Sequence, residues 1–302
     1  MNKPLVSIVA GSSLLALSLL FGVLGMTDAM GQKAKSLSHE TWMATHDDAT
    51  AVSSLEIPGT HDTLALYGIA DLAGQCQSLE LEEQLKLGVR FLDIRLERDG
   101  DNLKAVHGIV DERQTFATTI RTMSSFLKNH PTESLFVSIK DEDSSKSNGK
   151  FEECLKKYIV ESDWYLAPSM PATLGECRGK MVLLSRYDSP TIGIDAGAPW
   201  KDNASFALNE EIYVQDFYKM KDPEQKKPEI LSCLEDAHPY RINFLSGYLE
   251  GSFPPSYAPS VAKVINPWIK ELLPTMKNKG FMLFDFVTSE LVDAFFQNGG
   301  AK

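Results

Sequence analysis

Eight short apolar runs, most of them closing on or beside a polar or charged residue, recur across about 240 residues of the chain. They are Ser54–Ile57, Val89–Arg95, Leu103–His107, Leu135–Lys140, Lys180–Ser185, Glu211–Gln215, Ile242–Ser246 and Phe281–Asp285. Between them lie segments with apolar residues at helical spacing, notably Gln114–Asn129, Pro259–Leu273 and, more briefly, Phe151–Val160. Strands alternating with helices or loops in this number predict an α/β fold, an irregular single-domain (β/α)8 TIM-like barrel. The gap between the second and third runs is too short for a helix, hence the irregularity. No repeat, heptad or low-complexity tract competes with this reading.

The N-terminus reads as an address. Leu5 to Met26 carry no charge and follow Lys3, as in a secretory signal. Residues 1–29 are therefore expected to be a signal peptide or an uncleaved membrane anchor, and 30–302 the barrel. The chain is expected to be secreted or held at a membrane by that segment. Four cysteines, Cys76, Cys154, Cys177 and Cys233, contain no CxxC pair, which argues against a thiolate zinc site. Export would permit disulfides in any of three pairings; four reduced buried thiols are the alternative. The 302 residues carry 30 Lys and Arg against 41 Asp and Glu, a net charge of −11. That excludes the broad basic surface of a duplex nucleic-acid binder but leaves room for one phosphate in a local basic pocket.

In a barrel of this kind the chemistry sits where strands end. The first run leads into His61-Asp62 and the second ends at Asp93-Ile94-Arg95. The third ends at His107, the fourth at Lys140-Asp141-Glu142, and the fifth is followed by Arg186-Tyr187. The sixth ends at Gln215-Asp216-Phe217-Tyr218 and the eighth at Asp285. Two imidazoles can act as base and acid, carboxylates can fix their tautomers, and cations can hold a phosphate. The set describes phosphodiester cleavage by an attacking hydroxyl without a metal. His39, His46, His130 and His238 are expected to be structural.

Ile57-Pro58-Gly59-Thr60-His61-Asp62-Thr63, Gly88-Val89-Arg90-Phe91-Leu92-Asp93-Ile94-Arg95 and Val106-His107-Gly108 resemble the X domain of phosphatidylinositol-specific phospholipase C, in its small bacterial-type form. Similarity continues through Pro131–Lys140, Arg178–Tyr187, Val214–Lys219, Ile265-Asn266-Pro267 and Phe284-Asp285-Phe286, nearly the whole chain from about Ser53. The resemblance implies that His61 is the general base for the inositol 2-hydroxyl, oriented by Asp285. His107 would be the general acid, assisted by Asp62, and Arg95 would bind the phosphate. Lys140, Arg186, Asp216 and Tyr218 would line the inositol pocket. Calcium-dependent relatives carry an acid where this chain has Arg95, and Asn where it has Asp62. A guanidinium cannot ligate calcium, so no metal and no cofactor is expected.

The partner is then membrane phosphatidylinositol, or a glycosyl-phosphatidylinositol anchor, reached by transient interfacial docking. Leu64–Ala70, Tyr248, Phe253 and Tyr257 are the candidate apolar contacts, with loop packing as the equal alternative; oligomeric state is not legible. Two other readings stand beside this one: a metal-dependent glycerophosphodiester phosphodiesterase or sphingomyelinase D-like enzyme, and a non-catalytic phosphoinositide-binding module.

Overall fold

The computed structural model describes residues 39–68, 74–252 and 257–297, all within one compact unit. The N-terminal address and Phe253 lie outside the described residues, as do Ile69 and Ala70.

The strands are β1 (Ile57–Thr60), β2 (Phe91–Asp99), β3 (Asn102–His107), β4 (Val110–Thr115), β5 (Leu135–Asp141), β6 (Trp164–Tyr165) and β7 (Met181–Arg186). They continue with β8 (Ile194–Asp195), β9 (Ala204–Ala207), β10 (Ile212–Asp216), β11 (Lys219–Met220), β12 (Tyr240–Phe244), β13 (Tyr248–Leu249) and β14 (Phe281–Phe284). The helices are α1 (Leu81–Leu87), α2 (Phe116–Asn129), α3 (Ser144–Ser147), α4 (Phe151–Lys156), α5 (Leu174–Cys177), α6 (Lys226–Glu235), α7 (Pro259–Leu272) and α8 (Ser289–Phe296).

The main sheet runs β6-β7-β5-β2-β1-β14-β12-β10-β9, parallel except for the last pair. Among the described residues its end strands do not pair, so the barrel is open along one seam. Seven of the eight apolar runs are its staves. The exception is Leu103–His107, which lies in β3, pairs antiparallel with β2 and forms a hairpin with β4. Only Gly100 and Asp101 separate β2 from β3, and Gly100 takes a positive φ of 61°, so the chain reverses instead of crossing over.

The first stave also starts later than Ser54: Val52–Ser54 form a 3-10 turn, and β1 begins at Ile57. Pro58-Gly59 looks like a strand breaker, yet the barrel interior requires that glycine. A Cβ there would come within 2.8 Å of Phe91 Cβ and 2.9 Å of the Phe91 carbonyl.

Period-two alternation then sorts each stave into two faces. One cluster inside the barrel contains Ile57, Phe91, Phe136, Val182, Leu184, Val214, Ile242, Phe281 and Leu283. The other lies between sheet and helices and contains Leu92, Ile94, Val137, Ile139 and Met282, packed with Leu85, Met123, Phe126, Ile265 and Phe295. Continuing the inner face in steps of two, by two or four residues from the apolar layers, gives His61, Arg95, Lys140, Arg186, Asp216 and Asp285. The same stripe that fills the barrel therefore ends in the charged rim.

The helices are built to cover the outer face. Glu80 and Glu83 cap α1 reciprocally, and Gly88 ends it at φ 110°. Thr115 caps α2 by accepting from the Thr118 N–H, and Phe116, Thr119, Met123, Phe126 and Leu127 form its buried face. In α7, Val261, Ala262, Ile265 and Ile269 do the same. Below the barrel, Arg90 and Glu133 form a fully buried pair at 2.9 Å. Removing either partner alone would strand a buried charge. All four cysteines are buried and unpaired.

Candidate active site

A pocket of about 450 Å³ opens at the carboxyl ends of the staves, within the usual range for a small-ligand site. Both His61 and His107 line it, as do Arg95, Lys140, Glu142 and Arg186. The two imidazoles, distant in sequence, thus face one cavity.

His61 follows β1 and is held from the adjacent strand β14. Its Nε2 lies 2.7 Å from Arg95 Nη2. A guanidinium only donates, so Nε2 must accept, and the ring hydrogen resides on Nδ1. Nδ1 then donates to Asp285 Oδ1 at 2.8 Å. This is the tautomer a general base at Nε2 needs. Burial opposes charging the ring, but the Asp285 carboxylate overcomes both burial and Arg95, and the His61 pKa ends above its usual 6.5. Gln77, fully buried, donates to the carbonyls of His61 and Phe284, each at 2.8 Å, and so clamps the ends of β1 and β14 side by side. Asn266 on α7 donates to the Asp285 carbonyl at 2.8 Å.

Arg95 is the hub. Its guanidinium lies 3.5 Å from Asp62 Oδ2, 3.4 Å from Asp93 Oδ2 and 3.9 Å from Glu142 Oε1. Burial would raise the Asp93 pKa, but Arg95 and Arg186 pull it down to about 2. Glu142 is likewise held low against burial by Arg95 and Lys140. Both carboxylates are ionised and committed to cations of the chain itself. Among the described residues they form no free acidic pair for a divalent ion.

His107 stands at the end of β3, outside the staves. Its Nδ1 lies 2.6 Å from the Gly74 carbonyl and 3.4 Å from Asp62 Oδ2. A carbonyl only accepts, so Nδ1 carries a hydrogen, and Nε2 is the nitrogen left for a ligand. Asp62 has a positive φ of 40°, and its N–H donates to Asp93 Oδ2 at 3.1 Å. An unbroken chain of contacts therefore runs His61, Arg95, Asp62, His107.

The opposite wall holds the remaining expected residues. Lys140 Nζ pairs with Glu142 Oε2 at 2.7 Å. Arg186 Nη2 donates to Asp216 Oδ2 at 3.3 Å, and Tyr218 Oη donates to Asp202 Oδ1 at 2.6 Å. The structure brings all nine expected site residues together. It adds Trp200, which sequence reasoning missed. The Trp200 Nε1 donates to Asp216 Oδ2 at 3.0 Å, and the Arg186 guanidinium sits 3.6 Å from the centre of its ring. No local signal marks Trp200; it arrives on an irregular loop whose Gly197 presses on the Tyr187 backbone so closely that no Cβ fits. Gln77 was equally invisible, since a buried amide that bridges two carbonyls has no motif. The histidines expected to be structural include His39, paired with Asp293 at 3.0 Å, and His238, paired with Asp236 at 2.6 Å.

Comparison with known proteins identifies the family. Residues 58–187 match the family model "Phosphatidylinositol-specific phospholipase C, X domain". A 1-phosphatidylinositol phosphodiesterase of Staphylococcus aureus is 30% identical, over 86% of this chain and 95% of that protein. One from Listeria monocytogenes is 26% identical, over 94% and 96%. Among solved structures, the S. aureus enzyme in a study of its membrane binding superposes with a TM-score of 0.72 at 27% identity, covering 86% of this chain and 98% of that one. The L. monocytogenes phospholipase has the same fold, with a TM-score of 0.69 at 24% identity over 87% and 99%. The chain belongs to the phosphatidylinositol-specific phospholipase C X-domain family.

Proposed function

We propose that this protein is a phosphatidylinositol-specific phospholipase C that works by intramolecular attack and without a metal. The observation that carries this reading is the continuous contact chain from His61 through Arg95 and Asp62 to His107 across one pocket. His61 Nε2 takes the proton of the inositol 2-hydroxyl, and Asp285 stabilises the imidazolium that forms. The oxygen attacks the neighbouring phosphorus, which needs no captured water. Arg95 turns from His61 to the non-bridging oxygens and meets their developing charge. Protonated His107 gives its Nε2 proton to the departing glycerol oxygen. The products are diacylglycerol and inositol 1,2-cyclic phosphate. Asp216, Arg186 and Lys140 supply acceptors and donors for the ring hydroxyls, and Trp200 and Tyr218 flank them.

The buried polar atoms without hydrogen-bond partners support a polar ligand here. They include Asp62 Oδ2, Asp93 Oδ1, Arg95 Nε, Arg186 Nη1 and Asp285 Oδ2, gathered at one end of the barrel. Metal independence follows from Arg95: its fixed charge occupies the midst of three carboxylates where an ion would have to sit. Incubation of the purified protein with phosphatidylinositol and EDTA should yield the cyclic phosphate at the chelator-free rate. A product lacking the ring ester, or loss of activity with EDTA, overturns the proposal.

Residues 1–29 act as the export signal or anchor, a reading that rests on the apolar run Leu5–Met26 alone. Docking to the lipid surface is the second element. Ile109, at the turn of the β3–β4 hairpin, is 90% exposed beside His107 at the pocket mouth, and Tyr67 is an exposed aromatic on the loop after His61. An isoleucine so exposed, more than Val160, Leu231 or the aromatic Tyr67, suits an interface. Ile109→Ser should lower turnover on vesicles several-fold while sparing a soluble monomeric substrate; equal losses on both would remove the docking role.

A further inference from the structure

The proposed reaction leaves one reactive group in the pocket unused. Cys76 is buried, lines the cavity, and lies 3.9 Å from His107 Nδ1. Its thiol makes only a weak contact to the Gly74 carbonyl at 3.7 Å. Burial and the Asp285 and Asp62 carboxylates push its pKa well above the usual value, so it is a poor nucleophile. Two trios of potential ligand atoms share this sulfur: His61, Cys76 and Asp285, and Asp62, Cys76 and His107. They are not equivalent. In the first, both His61 nitrogens are already bonded, at 2.7 and 2.8 Å. In the second, His107 Nδ1 donates to the Gly74 carbonyl at 2.6 Å, but its Nε2 is open to take that hydrogen, and Asp62 Oδ2 is buried without a hydrogen-bond partner, 3.4 Å from Nδ1.

We propose that Asp62, Cys76 and His107 form a latent site for a thiophilic divalent cation of the zinc class, and that filling it switches the enzyme off. The spacing fits. Zinc bonds of about 2.3 Å to sulfur and about 2.0 Å to nitrogen or oxygen, at the tetrahedral angle, separate sulfur from nitrogen by roughly 3.5 Å and nitrogen from oxygen by roughly 3.3 Å. The observed separations are 3.9 and 3.4 Å. The charge also balances. The cation replaces the thiol proton, which leaves to solvent, and binds thiolate, carboxylate and neutral imidazole as a neutral unit. The imidazole hydrogen moves to Nε2, and Gly74 loses its donor. The unit is neutral where Asp62 alone carried one negative charge, so Arg95, whose Nε lies 3.5 Å from Asp62 Oδ2, faces one negative charge fewer but no net positive charge. Occupancy removes the proton donor and its carboxylate partner together. The site is thus inhibitory, and differs from a catalytic ion seated between Arg95 and the phosphate.

The inhibition half rests on the phospholipase reading; the binding half does not, so the test measures them separately. Cadmium alone, titrated into the full chain, should give one equivalent of the ultraviolet thiolate-to-cadmium charge-transfer band. Cys154→Ser should keep the band, whereas Cys76→Ser and Cys76→Ala should lose it. Asp62→Asn should weaken cadmium binding about tenfold or more, the cost of losing a ligand. Buffered micromolar zinc should cut wild-type turnover at least tenfold, reversibly with EDTA, and leave each Cys76 variant at its own zinc-free rate. A band that survives in both Cys76 variants overturns the site. A band lost as expected, with zinc still inhibiting those variants equally, overturns the switch alone.

Discussion

The two histidines proposed as base and acid sit in unlike surroundings. His61 emerges from β1, between two parallel neighbours, and its partner Asp285 comes from the adjacent stave β14. Gln77 bolts those two strand ends together. His107 stands on a hairpin that leaves the barrel altogether, and its Nδ1 leans on a loop carbonyl, that of Gly74. The proposed base is thus fixed by two staves, and the proposed acid by a hairpin strand end and a loop carbonyl. The difference suits the chemistry. The base must meet a ring hydroxyl in a fixed pocket, while the acid must meet the glycerol oxygen, the end of the substrate that stays in the membrane.

The largest expected effect separates these roles. His61→Ala and His107→Ala should each lower turnover on phosphatidylinositol by about 10²- to 10⁴-fold. On an inositol phosphodiester with a nitrophenolate leaving group, which departs without a proton, the His107→Ala loss should shrink to within about tenfold of the wild type, while the His61→Ala loss stays whole. Equal losses on both substrates would erase the assignment of base and acid. Next in size is the hub between them. Arg95→Lys keeps the charge but not the fork that reaches His61 Nε2, Asp62 and Asp93, and should cost about 10²-fold in kcat with a smaller change in KM. A near-normal kcat would mean that Arg95 does not meet the transition state.

The third effect is a pH shift confined to the base side. His61 must be neutral to act, and its pKa lies above 6.5 because Asp285 outweighs burial and Arg95. Activity should therefore rise with pH through a limb above that value. Asp285→Asn keeps an acceptor for Nδ1–H but removes the charge, so burial and Arg95 dominate and the acid limb of kcat/KM should move to lower pH. A limb that stays put would assign it to another group.

How much of this was legible beforehand follows the same division. The barrel side announced itself. Apolar runs with charged ends must place those ends at one rim once a parallel sheet forms, and six of the seven staves do so. The loop side did not. Leu103–His107 looks like any other stave, and only the gap before it, too short for a helix, betrays the hairpin. The first stave was placed at Ser54–Ile57, short of Pro58-Gly59, whereas it runs through them, and close packing against Phe91 is what demands the glycine. Trp200, Gln77 and the approach of Cys76 to His107 depend on long-range contacts that no local spacing encodes. Sequence periodicity reports which face a strand residue takes. It carries nothing about which loop folds over that face.

The smallest effect concerns what holds the acid side in place. Glu112 on β4 is buried and accepts the Tyr67 N–H at 2.9 Å, tying the hairpin to the loop after His61. Its other oxygen, Oε1, has no hydrogen-bond partner. Burial, with Asp62 and Asp111 adding to it, raises its pKa from 4.5 to about 8 despite the backbone donors. The base side is held by ionised carboxylates, whereas this tie is a neutral acid at pH 7. A raised carboxyl pKa means that the folded state binds the proton more tightly than the unfolded chain. Stability from this group is then full below pH 4.5 and declines as pH climbs to about 8. Glu112→Gln keeps the acceptor and cannot ionise. Its Tm should match the wild type near pH 4.5 and exceed it by a few degrees at pH 8, with the gap opening between those values. Parallel Tm curves across that range would show that the hairpin tie does not titrate, and the contrast between charged base side and neutral acid side would be lost.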